Sequence, residues 1–214
     1  MINKEDVIDF FDHLAPTWDD DLVRNEKVIE RILDNAGVEQ GTSILDVACG
    51  TGVLFPDYIK RGAEQVTAID ISPGMVKIAK EKYQGSRIRI ICGDVEKARF
   101  ESKFDVVMVY NAFPHFPDPE RLIRTLASFT REGGRLSVAH GMSRSRIDSH
   151  HRGAAHRVSN GLMGEEELKK LFAPYFAVDI MISDDEMYQV CGVRKGNSFR
   201  DCGVSSCGAH LPDR

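Results

Sequence analysis

Four stretches place chemically competent residues just beyond apolar runs. Ile44-Leu45-Asp46-Val47 opens into the turn Ala48-Cys49-Gly50-Thr51-Gly52, and Gln65–Ile69 ends in Asp70. Arg87–Cys92 ends in Gly93-Asp94-Val95, and Phe104–Tyr110 ends in the segment Asn111–Phe116. Gly50 and Gly52 allow backbone angles and an approach of main chain to ligand that a Cβ forbids. Asp70 follows Gly50 by 20 residues, the separation at which a carboxylate accepts both hydroxyls of a ribose. Asp70 could also simply cap the helix after it. An aspartate and an amide at Asp94-Val95 could read the edge of an adenine. The turn is not that of a nicotinamide dehydrogenase, whose G-x-G-x-x-G needs glycine where this chain has Phe55.

The histidines offer a second kind of chemistry. His115 and His140 each fall just past an apolar run, so both are candidates to face a ligand and move a proton. The polar connection 141–163 carries Arg144, Arg146, His150, His151, Arg152, His156 and Arg157. A connection this long is often a functional lid. Its charge suits an acidic ligand, and His150 and His151, with His13, could act as base or metal ligands. A solvated loop or short helix is the alternative. Cys49 reads as a small packed turn residue rather than a nucleophile. Cys202, Cys207 and His210 superficially resemble a metal half-site but match no zinc spacing, which favours a disordered or appended tail from residue 196.

The elements that position these residues follow from periodicity. Two helices, about 3–13 and 22–36, precede the first strand, the second with Ile29, Ile32, Leu33 and Ala36 on one face and Gly37 as its stop. Helices near 53–61 and 72–83 follow the first two strands, the latter opened by Ser72-Pro73. Asp118-Pro119 opens another, the turn Glu132-Gly133-Gly134 leads to a strand over Arg135–His140, and three glutamates suit a helix start near Gly164. Strands at 176–183 and 187–194 form a hairpin around Asp184-Asp185-Glu186. The order predicts an α/β fold: a seven-stranded, doubly wound, Rossmann-like sheet, mostly parallel, with an antiparallel C-terminal hairpin and added N-terminal helices. Residues 1–195 make one domain, in which 1–37 can lie over the ligand cleft as a helical lid. Trp18, with Phe10 and Phe11, is either core for those helices or part of the lid.

Composition narrows the class. With 214 residues, 42% of them hydrophobic, one large domain with a sizeable core is expected. The net charge of −5 argues against general affinity for nucleic acid or anionic membranes. No stretch approaches the roughly 18 apolar residues of a membrane span, and the mixed, acidic start is unlike a secretion signal. Five cysteines, an odd number, fit a reducing cytoplasm better than a disulfide framework.

The segments LDVACGTG, AIDISPGM, GDVE and FDVVMVYNAFPHFPDPERLIRTLASFTREGGRL, in this order and spacing, resemble the class I S-adenosylmethionine-dependent methyltransferases, in particular the small-molecule group that includes ubiquinone/menaquinone-type enzymes. The resemblance covers residues 40–140 well and 5–195 more loosely. Ala48 departs from it, standing where many members have the first glycine of the turn. The resemblance implies S-adenosylmethionine as cofactor and S-adenosylhomocysteine as product. It implies that the Ala48, Cys49, Gly50 and Gly52 backbone, with Asp46 behind it, holds the methionine portion. Asp70 would bind the ribose, Ile71 and Met75 pack on the adenine, and Asp94 with the Val95 amide bind its edge. Asn111 would contact the methionine portion.

The expected activity is methyl transfer to a small-molecule acceptor by in-line displacement, with alignment and water exclusion as the main catalytic terms. Trp18, Phe113, His115 and Arg144 are the candidate acceptor contacts. His115, His140, His150 and His151 are candidate bases, needed only if the acceptor arrives protonated. A non-catalytic domain binding the cofactor or its product is the alternative, as is a protein methyltransferase. The absence of an N-P-P-Y-type sequence at Asn111-Ala112-Phe113-Pro114 weighs against base methylation of DNA.

Overall fold

The computed structural model describes residues 2–20, 22–85, 87–151 and 157–196, with side chains described as far as Ile147 in the helix that ends at His151. The strands are β1 (Ser43–Val47), β2 (Gln65–Asp70), β3 (Ile88–Cys92), β4 (Phe104–Tyr110), β5 (Thr130–His140), β6 (Phe176–Ser183) and β7 (Tyr188–Arg194). The helices are α1 (Lys4–Leu14), α2 (Glu26–Ala36), α3 (Phe55–Lys60), α4 (Pro73–Lys82), α5 (Pro119–Phe129), α6 (Arg144–His151) and α7 (Glu165–Phe172). The seven strands form one sheet in the order β3-β2-β1-β4-β5-β7-β6. Pairing is parallel from β3 to β5, and β7 runs antiparallel to both β5 and β6. Strand order reverses between β1 and β4, and a ligand cleft opens at that point in such sheets.

Helices cover both faces. Val28, Ile29, Ile32, Leu33 and Ala36 of α2 pack with Phe55 and Tyr58 of α3 and Ala79 of α4 against Ile44, Ala68 and Val106. On the other face Leu122, Ile123 and Leu126 of α5 and Leu168 and Phe172 of α7 meet Leu45, Val47, Val107 and Val138. The alternation of β1 therefore sends Ile44 one way and Leu45 the other, as a pleated strand requires.

Local signals set most helix starts. Asn25, Ser72 and Asp118 are N-caps whose side chains accept from the backbone N–H of Val28, Met75 and Arg121. The Asn25 cap starts α2 at Glu26 rather than near residue 22, the expected start. Leu22 and Val23 extend the apolar pattern backward, yet Val23 is 91% exposed. β5 begins at Thr130, ahead of its expected start at Arg135, because Glu132-Gly133-Gly134 forms an irregularity inside the strand rather than a turn before it. At Gly134 a Cβ would come within 2.8 Å of the Asp105 carbonyl oxygen, so only glycine lets the two strands approach there.

The N-terminal helices belong to the α/β unit. α1 and the 3-10 turn Ala15–Thr17 dock on α4. α2 is tied to the sheet through Gln189, whose Nε2 donates to Ile32 O and Ser137 Oγ, each at 3.0 Å. Among the described residues no helix is long and apolar enough to cross a membrane. Cys49, Cys92 and Cys191 are unbonded thiols. The expected tail, with Cys202, Cys207 and His210, lies outside the described residues.

Candidate active site

The carboxyl ends of β1, β2, β3 and β4 open into one cavity, with about 1030 Å³ of empty space counted out to open solvent. Its floor is Val47–Thr51, Ile69–Ile71, Gly93–Val95 and Tyr110–Ala112, and its far wall includes His115, Phe116 and Pro117. Val7, Phe11, Trp18 and Leu22 close it from the N-terminal side.

The turn after β1 is built for exposure of its main chain. Ala48, with φ 54°, and Asn111, with φ 55°, are the non-glycine residues of positive φ among those described. They terminate neighbouring strands, and both line the cavity. A left-handed conformation costs an ordinary residue roughly 1–2 kcal/mol. Such strain concentrates where a site dictates backbone geometry. Asn111 is held in place by its N–H, which donates to Ala139 O at 2.9 Å, and by its Oδ1, which accepts from Gly141 N at 2.9 Å. At Gly50, φ 55°, a Cβ would meet nothing within 4 Å, so the residue borders open space. Gly52 has a different reason: a Cβ there would strike the Phe55 ring at 2.6 Å, so this glycine admits the first turn of α3 and does not line the cavity.

Asp70 braces this turn. One carboxylate oxygen accepts from Gly50 N at 2.8 Å and the other from Ser72 N at 2.9 Å. The side chain is 8% exposed and lines the cavity. Burial raises its pKa, against which the two amides pull down. A carboxylate offers about four lone-pair sites, so both oxygens keep capacity for a ligand. The capping of α4 falls to Ser72 and not to Asp70, whose carboxylate braces the turn ahead of the helix.

Asp46 lies behind the turn, 3% exposed and outside the cavity lining. Burial pushes its carboxyl up to about 8, opposed by the Tyr58 hydroxyl and reinforced by the nearby Asp70. The folded chain therefore keeps a proton that an unfolded aspartate releases near pH ~4. Between pH ~4 and about 8 the folded state binds more protons, so the contribution of Asp46 to stability falls as pH rises and levels off above about 8. Asp46→Asn, neutral throughout, is expected to flatten that slope in ligand-free thermal melts. A variant with the wild-type slope would show that Asp46 ionises at an ordinary carboxylate pH.

Other expected contacts divide. Ala48, Cys49, Ile71, Met75, Asp94, Val95, Asn111, Trp18 and His115 all line the cavity. Burial raises the Cys49 thiol well above its usual range, which suits packing and not nucleophilic attack. Trp18 is 40% exposed and stacks edge-on against Phe11 at 5.6 Å, so it is not part of the core. His115 Nδ1 is 2.7 Å from Val158 O. A carbonyl can only accept, so Nδ1 carries the proton and Nε2 is the basic nitrogen of the neutral ring.

His140 and Phe113 do not join the site. His140 is 3% exposed, edge-on to Tyr188 in the neighbouring strand, and Phe113 is 1% exposed in the core. Arg144 borders a separate cavity with Phe113, Phe116 and Leu162, where its Nε donates to Leu162 O at 3.2 Å. His150 and His151 fall on α6, a short helix inside the connection read as a lid, a solvated loop or a short helix. Their side chains lie outside the described residues, as do Arg152 and His156. Among the described residues no three His, Cys, Asp or Glu side chains form a metal-ligating group. The lining residues that the motifs did not flag are chiefly Lys4, Val7, Leu22, Val53 and Tyr110. Tyr110 was legible as the last residue of a buried strand. Lys4 carried no local signal.

Comparison with known proteins agrees with this geometry. Residues 45–138 match the family described as "Methyltransferase domain". The malonyl-[acyl-carrier protein] O-methyltransferase of Acetivibrio thermocellus is 30% identical over 142 residues, 65% of this chain and 50% of that one. The ubiquinone biosynthesis O-methyltransferase of Xanthomonas euvesicatoria is 38% identical over 103 residues, 46% of this chain and 43% of that one. The chain spans about half the length, or less, of these curated relatives. Among solved structures, magnesium protoporphyrin IX methyltransferase from Synechocystis PCC 6803 with bound S-adenosylmethionine superposes with a TM-score of 0.68 at 20% identity, covering 91% of this chain and 98% of that one. At that identity the likeness concerns the fold.

Proposed function

We infer that this chain, which carries a class I S-adenosylmethionine-dependent methyltransferase domain, binds that cofactor above β1–β3 and methylates a small, uncharged acceptor held beside it. The observation that carries the reading is the composition of the cavity from end to end. Carboxylates Asp70 and Asp94 line one part and Phe11, Trp18, Tyr110, His115 and Phe116 another.

The residues present suit the cofactor. The exposed backbone at Ala48–Gly50 accommodates a ligand lying flat on main chain. Asp70 has lone pairs for two ribose hydroxyls, and Asp94 has them for an adenine amine. The carboxylate at 70 favours a cation at the turn, where a phosphate would be repelled. When bound, S-adenosylmethionine supplies an electrophilic methyl on a sulfonium and is converted to S-adenosylhomocysteine. Asn111 and the turn fix the methionine portion. The aromatic wall excludes water and aligns the acceptor, a contribution of several kcal/mol or more. His115 Nε2 takes the acceptor proton as the new bond to carbon forms. Among the described residues Lys4 is the one lysine or arginine on the cavity wall, and Asp94 and Glu96 already neutralise it. A hydroxyl on a flat, apolar framework therefore suits the wall better than the acidic acceptor that the arginines of 141–163 suggested.

The test is calorimetric titration with S-adenosylhomocysteine, followed by transfer of radiolabelled methyl to phenol, quinol, thiol and carboxylic acid panels. Binding with transfer to hydroxyl acceptors is the expected result. Failure to bind the product overturns the reading, and binding with no transfer to any panel favours a non-catalytic binder.

A further inference from the structure

We propose that residues 2–20 are a lid clasped to the three strand ends that hold the cofactor, and that the clasps set the position of Phe11 and Trp18 over the acceptor. The proposal rests on the reading of the cavity given above and adds its control.

The N-terminal segment grips a residue within a few positions after each of β1, β2 and β3. After β1, Thr51 Oγ1 donates to Asp19 at 2.7 Å, while Lys82 donates to the other oxygen of Asp19 at 2.8 Å. After β2, Asp12 accepts from Gly74 N at 2.8 Å and from the Ser72 hydroxyl. After β3, the Lys4 ammonium donates to Asp94 at 2.7 Å and also to Glu96. None of these receptors is remote from the cofactor site. Thr51 lies between Gly50 and Gly52, Ser72 gives its own N–H to Asp70, and Asp94 is itself on the cavity wall.

The seat of the middle clasp is cut to fit. A Cβ on Gly74 would meet Asp12 Oδ1 at 3.0 Å and Ala15 Cβ at 3.1 Å, so α1 rests where the first turn of α4 has no side chain. The residue before Asp12 is Phe11. Its ring is edge-on to Trp18 at 5.6 Å and to His115 at 4.9 Å. Any movement of Asp12 on α4 is therefore passed through Phe11 to the acceptor wall and to His115. Ligand contacts that order the three strand ends order the receptors of the clasps as well, so the acceptor wall takes its final shape when the cofactor end is occupied. Asp12 and Asp19 touch no reacting atom and are positioning residues.

The single tryptophan of the chain, Trp18, reports the lid directly. Titration of the wild type with S-adenosylhomocysteine should shift Trp18 emission. In Asp12→Ala and in Asp19→Asn the shift at saturation should fall by at least half, product dissociation should accelerate about tenfold, and acceptor KM should rise more than kcat falls. Asp12→Asn, which keeps the side chain's shape, covers the case in which Asp12→Ala fails to fold. A Trp18 shift and a dissociation rate unchanged in the folded variants would overturn the lid. A wild type that does not bind the product would overturn the cofactor reading instead.

Discussion

Asp70→Ala is expected to weaken binding of S-adenosylhomocysteine by at least about a hundredfold. Two losses add. A charged acceptor for ribose hydroxyls disappears, and hydrogen bonds to charged groups contribute roughly 1.5–3 kcal/mol each. The brace on Gly50 N and Ser72 N goes with it, so the turn that presents the main chain loses its reason to hold one shape. About 1.4 kcal/mol is a factor of ten, so one lost ligand bond with a loosened turn is enough. Asp70→Asn separates the parts: its single acceptor oxygen can satisfy one amide, and its NH2 confronts the other. It should bind more weakly than wild type and more tightly than the alanine variant. Calorimetric titration at constant pH measures both. Alanine affinity equal to wild type within error would remove Asp70 from the site.

His115 carries the second large effect. His115 lies on the cavity wall with Nδ1 donating to the Val158 carbonyl, which makes Nε2 the basic nitrogen of the neutral ring. A positioned base of this kind contributes about 10²–10⁴ to the rate of a step that removes a proton. His115→Gln should lower kcat for a hydroxyl acceptor within that range and leave S-adenosylhomocysteine affinity within about threefold of wild type. An acceptor supplied already ionised should recover most of the lost rate. If the variant loses binding and rate together, and an ionised acceptor recovers nothing, His115 supports Phe11 and Val158 and transfers no proton.

The parts of this molecule that were legible in advance are those governed by neighbours in sequence. A buried run opening into a glycine turn, Ser72-Pro73 and Asp118-Pro119 as helix starts, and β6 to the residue all follow from local propensity and capping. Errors came where two local signals competed. At residues 22–25 apolar periodicity argued for helix and the Asn25 cap decided against it. At Gly133-Gly134 glycine suggested a turn, while the structure uses it to bring strands together. α6 has no apolar stripe beyond Ile147 to announce it.

The site divides along the same line. Residues that end strands were legible because a parallel sheet must deliver its carboxyl ends to one side. His140 also ends a strand, yet alternation turns it into the protein, and reading it correctly needed the pairing with Tyr188. Lys4 with Asp94 joins positions 90 residues apart, a meeting that no pattern in either stretch announces. The character of the acceptor wall was likewise hidden, because Phe11, Trp18, Tyr110 and Phe116 come from separate elements.

The reversal of strand order between β1 and β4 also sorts duties by address along the polypeptide. Nearly every group proposed to grip the methyl donor falls between Asp46 and Val95, whereas the surfaces proposed to face the acceptor come from Val7, Phe11, Trp18 and Leu22 and from 110–117. Inheritance can then rewrite those two patches to suit new metabolites while the donor machinery between them passes on unaltered. One ancestral scaffold could diversify its chemistry by editing the margins of a constant block.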